Sequence, residues 1–280
     1  MHKLTNDELR AIEQTCFIDT NEEVSYPPLA LSYGTTVMKT KKGDITLPIA
    51  IGTYGNFSFV QAPPKTLKTY FISLLASVYL AGKNKYGGDI RGYRDDRCLI
   101  HFDTEQGKFH AHKTFRRVIE MNSDNGKECY HTFGLRTIDY KKRIEFIEYY
   151  LKNKIDKGKV GLVIIDGIAD LSNDVNNIEQ SNDVVQKIME WTQVFNCHIV
   201  TIIHTNHGNT EKPTGHLGSF LEKKAETQIQ LSKNSTHKGW ISVTCKRSRG
   251  YSFEQFSFKL DDYGLPKVIT DLYDPLKDFE

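Results

Sequence analysis

Residues 57–70, with the sequence FSFVQAPPKTLKTY, hold the pattern that decides the fold of this chain. The first four of them, FSFV, are mostly apolar and predict a short buried strand. A turn containing Pro63 and Pro64 follows, and residues 69–81 (TYFISLLASVYLA) then predict an apolar helix. A strand that turns directly into a helix directs the first N–H groups of the helix toward the end of the strand, where they can bind an anion.

The turn itself resembles a phosphate-binding loop. In the signature G-x-x-x-x-G-K-[ST] the lysine reaches the β- and γ-phosphates and the hydroxyl group binds Mg²⁺. Lys68 and Thr69 keep these two groups, whereas Ala62 and Leu67 stand in place of the two glycines. Proline has no backbone N–H, so the two prolines remove donors from the loop. The sequence predicts a nucleotide site made of Ala62, Pro63, Pro64, Lys65, Thr66, Leu67, Lys68 and Thr69.

A second strand is predicted at residues 159–166 (KVGLVIID), where a continuous apolar run ends in Asp166. Such runs are typical of strands that are buried on both faces of a parallel sheet. Open α/β sheets bind ligands at the carboxyl ends of their strands, which is where a Walker B aspartate meets the magnesium ion. We therefore expect Asp166 and Thr69 to hold Mg²⁺. The alternative is a carboxylate that only caps the following segment.

Residues 97–102 (RCLIHF) predict a third strand, with Glu105 just after its end, and residues 199–206 (IVTIIHTN) predict a fourth that ends in polar residues. The order of these strands and the P-loop resembles the RecA-like ATPases, most closely their RepA-like and DnaB-like branch. This resemblance implies an α/β fold with a mostly parallel sheet, flanked by helices, and an antiparallel C-terminal β extension. It also implies that Glu105 polarises the attacking water and that His204 or Asn206 senses the γ-phosphate.

The C-terminal part of the chain extends the same resemblance. Residues 215–231 (GHLGSFLEKKAETQIQL) are similar to a segment of replicative helicases, and residues 244–250 (TCKRSRG) to the strand that delivers charge to the neighbouring subunit's nucleotide. The resemblance implies that Lys246 and Arg249 act in trans at that subunit interface. The arginine is shifted by one position from the family pattern, which keeps Arg247 as an alternative. Two more lysines form a second candidate pair, Lys223 and Lys224.

The nearest comparison is with RecA-fold ATPases encoded on mobile elements and prophages of Bacteroides-type bacteria. It rests on the stretches NFSFVQAPPKTLKTYF, FDTEQGKFH, FGLR, VIIDGIADL and HTNHGN followed by GHLGS, which together span most of the chain. Members of that group often lack the glycine before the P-loop lysine, the position that Leu67 occupies. The resemblance implies ATP and Mg²⁺ as cofactors, and hydrolysis at the subunit interfaces of a homo-oligomeric ring or filament. It further implies a role in DNA replication, mobilisation or recombination.

The composition indicates a single cytosolic globular domain. The chain has 280 residues, of which 39% are hydrophobic, and a net charge of +2. We assign residues 36–280 to the ATPase domain and residues 1–35 to an N-terminal arm or linker, in which residues 6–15 predict a short helix. Because no apolar run approaches the ~20 residues of a membrane span, we expect a cytoplasmic protein without a membrane partner. The five scattered cysteines indicate free thiols rather than disulfides.

The net charge alone does not demand a nucleic-acid partner. Residues 207–216 (HGNTEKPTGH) are predicted as a mobile loop at the place where RecA-like proteins have DNA-binding loops. Lys212 and His207 are therefore the expected contacts to single-stranded DNA. Residues 83–97 (KNKYGGDIRGYRDDR) combine basic residues, tyrosines and glycines in a way that suits single strands. A solvated loop without a partner fits that composition equally well.

Two other classes of function stay open on the sequence. A degenerate P-loop fits a non-hydrolysing scaffold that binds DNA or a partner protein. The same fold also serves nucleotide-dependent kinases and transferases, although no second-substrate signature is visible. Elsewhere the periodicity predicts helices at 108–121, 140–154 and 178–195, strands at 45–51 and 130–135, and a C-terminal meander at 227–232, 240–246 and 256–260.

Overall fold

The computed structural model describes residues 3–41, 43–156, 158–206 and 208–270. The helices in these residues are α1 (Asn6–Cys16), α2 (Lys68–Ala81), α3 (Lys108–Glu120), α4 (Tyr140–Asn153), α5 (Ile178–Val194) and α6 (Gly215–Lys224). The strands are β1 (Leu29–Thr40), β2 (Gly43–Thr53), β3 (Phe57–Ala62), β4 (Ile90–Gly92), β5 (Cys98–Asp103), β6 (Tyr130–Gly134), β7 (Val160–Asp166), β8 (His198–Asn206), β9 (Asn209–Pro213), β10 (Thr227–Lys233), β11 (Ile241–Ser248), β12 (Phe256–Leu260) and β13 (Pro266–Val268).

Most of the strands form one central sheet, in the order β13-β12-β11-β10-β3-β8-β7-β5-β6, with β9 paired to β8. The strands from β10 to β6 in this order run parallel to one another. From β10 the sheet continues through β11, β12 and β13 in antiparallel pairs. The predicted α/β architecture, a mostly parallel sheet flanked by helices with antiparallel strands at the C-terminus, is confirmed.

Burial on both faces explains why the central strands carry continuous apolar runs. Every residue of β3 and β7 is buried. Side chains on one face of the sheet pack in a cluster with α2, including Phe71 and Leu75, and those on the other face pack with α5, including Ile188 and Trp191. A strand covered on both faces cannot alternate apolar and polar residues, so its pattern is the run seen at residues 160–166.

The parallel strands bring their carboxyl ends to one edge of the sheet. The register pairs Ala62, the last residue of β3, with His204 of β8. It also pairs Asp103, the last residue of β5, with Asp166, the last residue of β7. Helix α2 begins at Lys68, directly after the turn that leaves β3. The predicted phosphate loop and the predicted polar residues therefore lie along one edge.

A small antiparallel sheet of β2, β1 and β4 lies beside the central sheet. Ala30 and Leu31 of β1 are fully buried in the same core cluster as α2. The predicted boundary between the arm and the ATPase domain, at residues 35 and 36, falls inside β1. The predicted strand at residues 45–51 is the middle of β2, which pairs with β1 in an antiparallel ladder.

Helix α1 is well formed locally but buries none of its residues. Its N-cap is Thr5, whose hydroxyl accepts a hydrogen bond from the N–H of Glu8 at 3.3 Å, while the Thr5 N–H donates to the Glu8 carboxylate at 2.7 Å. This reciprocal pair satisfies two N–H groups that a helix start would otherwise leave unbonded. Across the described residues, none of the helices is long and apolar enough to span a membrane.

Candidate functional site

The loop between β3 and α2 adopts a tight turn without glycine. Lys65 and Leu67 take left-handed backbone conformations, with φ angles of 62° and 56°. Such a conformation costs a residue other than glycine roughly 1–2 kcal/mol. Two contacts offset this cost: the Thr66 hydroxyl donates to the carbonyl of Pro63 at 2.6 Å, and the Leu67 side chain packs against the core.

The same turn leaves a row of backbone donors free. The N–H groups of residues 65–69 donate to no acceptor among the described residues, and the helical bonding of α2 begins with the N–H of Tyr70, which donates to Leu67 at 3.0 Å. Successive N–H groups in a turn at a helix start form a cavity for an anion. The proline pair therefore removes donors only at positions 63 and 64, and the donors next to the lysine remain.

Lys68 extends from the start of α2 toward the end of β8. Its Nζ lies 3.3 Å from the carbonyl oxygen of Pro63 and 3.3 Å from Nδ1 of His204. Burial lowers the pKa of Lys68, and the nearby carboxylates of Glu105 and Asp166 oppose that shift. The ammonium group thus lies in a partly desolvated position, where a phosphate would be a stronger partner than a carbonyl and an imidazole.

His204 connects the lysine to the predicted catalytic glutamate. Nε2 of His204 lies 3.6 Å from Oε1 of Glu105, while its Nδ1 faces Lys68. An ammonium can only donate, so Nδ1 accepts and the ring proton is on Nε2, facing the carboxylate. This contact lowers the pKa of Glu105, although burial opposes the shift. Asn206, the alternative sensor, instead lines a separate polar cavity of about 330 Å³ with Lys212.

Asp166 fits the role of a magnesium ligand. Its Oδ2 atom is buried and has no hydrogen-bond partner among the described residues. Burial raises the pKa of Asp166 well above its ordinary value, and the carboxylates of Asp103 and Glu105 raise it further. A bound cation would give this buried oxygen the partner that it lacks. No group of three or more histidine, cysteine, aspartate or glutamate side chains in the described ranges is arranged to hold a metal, but Mg²⁺ at nucleotide sites needs only one or two protein ligands.

Asp103 organises the turn that carries Glu105. Its carboxylate accepts hydrogen bonds from the N–H of Glu105 at 3.1 Å, from the N–H of Gln106 at 2.8 Å and from the Gln106 side chain at 2.7 Å. These bonds occupy both carboxylate oxygens. Asp103 therefore positions the turn, and Glu105 is the carboxylate of this turn that can contact water or a ligand.

A glycine after the buried aspartate gives Glu105 its space, and the sequence reasoning missed it. Gly167 has a φ angle of 103°, and a Cβ there would lie 2.3 Å from the Thr104 hydroxyl and 2.7 Å from Cγ of Glu105. The Thr104 hydroxyl lies 2.9 Å from the carbonyl oxygen of Asp166, so the ends of β5 and β7 are held together at this point. The signal in the sequence was the glycine that directly follows the Walker B aspartate.

Helix α3 supplies a wall of the site that the sequence reasoning also missed. A cavity of about 370 Å³ lies between the phosphate loop, with Lys68 and Thr69, and one face of α3, with His110 and Lys113. Arg117 anchors this helix, because its guanidinium stacks 3.8 Å from the centre of the Tyr70 ring and donates to the Ser73 hydroxyl at 3.0 Å. The available signal was the helical spacing of basic residues at 110, 113 and 117.

The residues predicted to act in trans, Lys246 and Arg249, do not line the cavity at the chain's own phosphate loop. A register shift in the pairing of β10 with β11 leaves Lys246 as an extra residue in a bulge, and this lysine forms an ion pair with Glu211. Strand β11 ends at Ser248, so Arg249 follows the strand instead of lying on it, and its Nη2 donates to the carbonyl of Lys224 at 2.7 Å.

The predicted DNA-binding segment is more ordered than expected. Residues 209–213 form strand β9, paired with β8, where a mobile loop was predicted. Side chains of the central sheet hold it, since Gln61 donates to the carbonyl of Glu211 at 3.1 Å. Lys212 is exposed on this strand. His207, the other predicted contact, lies outside the described residues.

Comparison with known proteins places the chain in a family. Residues 53–210, more than half of the chain, match the family model described as AAA domain. Among solved structures, the RadB recombinase has the same fold: the TM-score is 0.53 and the identity 16%, over 77% of this chain and 91% of that chain. No functionally curated protein is significantly similar to this sequence.

Proposed function

Since this chain belongs to the AAA domain family, we propose that it is a RecA-like ATPase that binds ATP with Mg²⁺ at the carboxyl edge of its central sheet. The observation that carries the proposal is the convergence of Lys68, His204 and Glu105, within 3.3 Å and 3.6 Å contacts, beside a phosphate loop with free N–H groups. These groups have the charges that phosphate binding and hydrolysis require.

The loop binds the phosphates and leaves the carboxylates to orient the chemistry. The free N–H groups of residues 65–69 and the ammonium of Lys68 hold the phosphate oxygens, with the backbone of residues 62–64 forming the base of the loop. Thr69 and Asp166 would hold Mg²⁺. When bound, that ion neutralises negative charge that develops on the phosphate oxygens.

Glu105 orients and polarises the attacking water, and His204 reports the γ-phosphate. In the free protein His204 contacts both Lys68 and Glu105. A terminal phosphate beside Lys68 competes for the ammonium, so the imidazole is released from that contact. His204 then donates from Nε2 to either the phosphate or Glu105, and this choice couples nucleotide binding to the position of the catalytic carboxylate.

Hydrolysis takes place at the interface between copies of the chain. Lys246 and Arg249 approach the nucleotide of the neighbouring subunit, where the forked, permanently charged guanidinium suits phosphate oxygens. Such a head-to-tail contact is heterologous and closes into a ring or continues as a filament. Lys212 contacts single-stranded DNA in the same assembly, and His207, which lies outside the described residues, is the second proposed contact. The finer role, in replication, mobilisation or recombination of a mobile element in the cytoplasm, rests on the resemblance to the RepA-like and DnaB-like branch.

A non-hydrolysing scaffold is a second candidate, and two observations favour it. Two prolines replace N–H donors in the loop, and His204 already occupies both Lys68 and Glu105 in the free protein. ATP turnover with and without single-stranded DNA, measured beside the mass in solution, separates the two functions. Turnover supports the ATPase, whereas nucleotide or DNA binding without turnover supports the scaffold.

A mixing experiment tests the action in trans. Arg249→Ala protein should bind ATP but hydrolyse it poorly, and Lys68→Ala protein should do neither. An assembly of the two contains interfaces with an intact loop on one side and an intact arginine on the other, so the mixture should recover part of the activity. Arg247→Ala, two residues earlier in the chain, tests the alternative arginine: if Arg249 is the residue that acts in trans, Arg247→Ala protein should keep full turnover. A mixture that co-assembles without any recovery would exclude the trans role of Arg249.

A further inference from the structure

Two of the five cysteines lie side by side at the amino ends of neighbouring strands. The first register pair of the parallel strands β5 and β6 joins Leu99 to Tyr130. Cys98 and Cys129 are the residues just before this pair, so the same register brings Cys98 opposite Cys129. Neighbouring strands lie ~4.8 Å apart. The two cysteines are therefore close in space although they are far apart in the sequence.

The two thiols also lie on the same face of the sheet. Side chains on a strand alternate between its faces, and Leu99 and Tyr130 both pack with the core cluster of α2. The residues before them accordingly point to the other face. Cys98 packs against the cluster on that face, together with Tyr150 of α4. The pKa of Cys98 agrees with this placement, because it is raised by burial and next by the nearby thiol of Cys129.

Both thiols can be reached from solvent. Cys98 and Cys129 are each partly exposed, whereas Cys197 is buried. Sγ of Cys129 lies 3.8 Å from a carboxylate oxygen of Glu128, in a contact at the surface. Lys127 and Glu128, the two residues before Cys129, are exposed. A small oxidant such as a peroxide therefore has access to the pair, and most directly to the turn that carries Cys129.

The arrangement suits a disulfide better than a metal site. A disulfide joins Cα atoms about 4.4–6.8 Å apart, a range that includes the separation of neighbouring strands. A structural zinc ion takes four ligands, and the described part of the chain has no group of three or more that could hold a metal. Cys129 ends a single 3₁₀ turn, Lys127–Cys129, and precedes the strand ladder. Its backbone is thus free to make the small approach that an S–S bond needs.

We propose that Cys98 and Cys129 form a reversible disulfide when the protein meets a peroxide. The peroxide oxidises the Cys129 thiol to a sulfenic acid: the O–O bond breaks, one oxygen stays on sulfur and the other leaves as water. The Cys98 thiol then attacks this sulfur, the S–S bond forms and the sulfenic oxygen leaves as a second water. In total the two thiols lose two electrons and two protons, and the peroxide gains them. A thiol reductant reverses the step by exchange.

The disulfide closes a loop that carries one wall of the candidate nucleotide site. The chain between the two cysteines contains Glu105 and the whole of α3. A cross-link over about 30 residues removes conformational entropy from the unfolded chain, so the oxidised protein should be the more stable form. The cysteines lie at the amino end of β5, whereas Glu105 lies beyond its carboxyl end. The thiols therefore take no part in ATP chemistry, and the proposal does not depend on it.

Thiol counting and peptide mapping test the disulfide directly. Peroxide should remove two of the five free thiols of the wild type and lower its mass by about 2 Da, the two hydrogens lost. Digestion without reductant should give a peptide that joins positions 98 and 129 of one chain, and dithiothreitol should separate it. Cys245→Ser, which removes a partly exposed cysteine of β11, is the matched control and should behave as the wild type. Five free thiols after treatment, a different pairing, or a gain of oxygen at these cysteines overturns the proposal.

Single substitutions assign the roles of the two thiols. Cys98→Ser protein should keep a sulfenic acid on Cys129 that dimedone traps, and the wild type should not. Peroxide should raise the Tm of the wild type by roughly 5 °C and leave that of Cys129→Ser unchanged. Serine is close to cysteine in size and both positions are partly exposed, so the reduced variants should melt as the reduced wild type does. A missing adduct, or equal Tm shifts in wild type and Cys129→Ser, contradicts the proposal.

Discussion

Replacing Glu105 by glutamine should separate ATP binding from hydrolysis. Glutamine keeps the size of the side chain and its position beside Nε2 of His204, but it has no charge with which to polarise water. General base or water-orienting groups contribute about 10²–10⁴-fold to rate, so we expect turnover to fall by that factor. Lys68 and the loop N–H groups are untouched, and the affinity for ATP should change little.

The cost of this substitution to stability should be small. The two side chains of the Glu105–His204 contact are 39% and 41% exposed, and exposed ion pairs contribute only about 0.2–1 kcal/mol. The free energy of unfolding should fall by no more than that. Because the pKa of Glu105 is lowered in the folded protein, its contribution is present above the unfolded pKa and is lost as the pH falls through the folded one. The stabilities of wild type and variant should therefore converge in acid.

The assay is a single-turnover measurement of phosphate release with saturating ATP and Mg²⁺, with urea unfolding on the same proteins. Asp103→Asn is the matched control two residues earlier. Both oxygens of Asp103 accept hydrogen bonds, so an amide there turns one acceptor into a donor and should lower stability more than Glu105→Gln does. A Glu105→Gln protein that hydrolyses ATP at the wild-type rate would refute the assignment of Glu105.

Three further substitutions follow from the site. Lys68→Ala should abolish nucleotide binding in an equilibrium titration, whereas Lys65→Ala, which removes an exposed neighbour, should weaken it much less; equal binding by wild type and Lys68→Ala would contradict the P-loop assignment. Asp166→Asn should remove the magnesium dependence of ATP binding. It should also make the free protein more stable than the wild type as the pH rises, because the pKa of Asp166 is raised in the fold. The contribution of the wild-type aspartate to stability is present below its unfolded pKa of ~4 and is lost as the pH rises through the folded value. If the difference in stability between Asp166→Asn and the wild type does not grow between acid and neutral pH, the pKa of Asp166 is not raised in the folded protein. Gly167→Ala should cost of order 1–3 kcal/mol in urea unfolding, because its φ of 103° is strained for alanine and its methyl group meets Glu105, and turnover should fall with it.

The sequence predicted the central strands and the loop because their patterns are local. The runs at 57–60 and 160–166 are apolar at nearly every position, and a strand buried on both faces requires this. Strand β1 was predicted in part as an arm, since its pairing with β4, some sixty residues later, leaves no local trace. The proline-containing residues before β1 also favoured the prediction of an arm.

Parts of the candidate site were undetermined by the sequence for a physical reason. His204 and Asn206 are two apart on one strand and share a face, so alternation cannot choose between them. The choice comes from long-range pairing: His204 is in register with Ala62, while Asn206 pairs with Asn209 of β9. The α3 wall of the cavity was missed because a basic helix face resembles an ordinary solvated one.

The left-handed conformation of Leu67 has a consequence for substitution at this position. A glycine here would relieve roughly 1–2 kcal/mol of backbone cost but would also enlarge the entropy of the unfolded chain and leave a void where the leucine packs. Leu67 and its neighbour Tyr70 are both partly buried and pack against the core. The packing that makes the leucine tolerable therefore opposes its replacement by glycine. A loop of this kind keeps its shape by burying a side chain before the lysine instead of by the conformational freedom of a glycine.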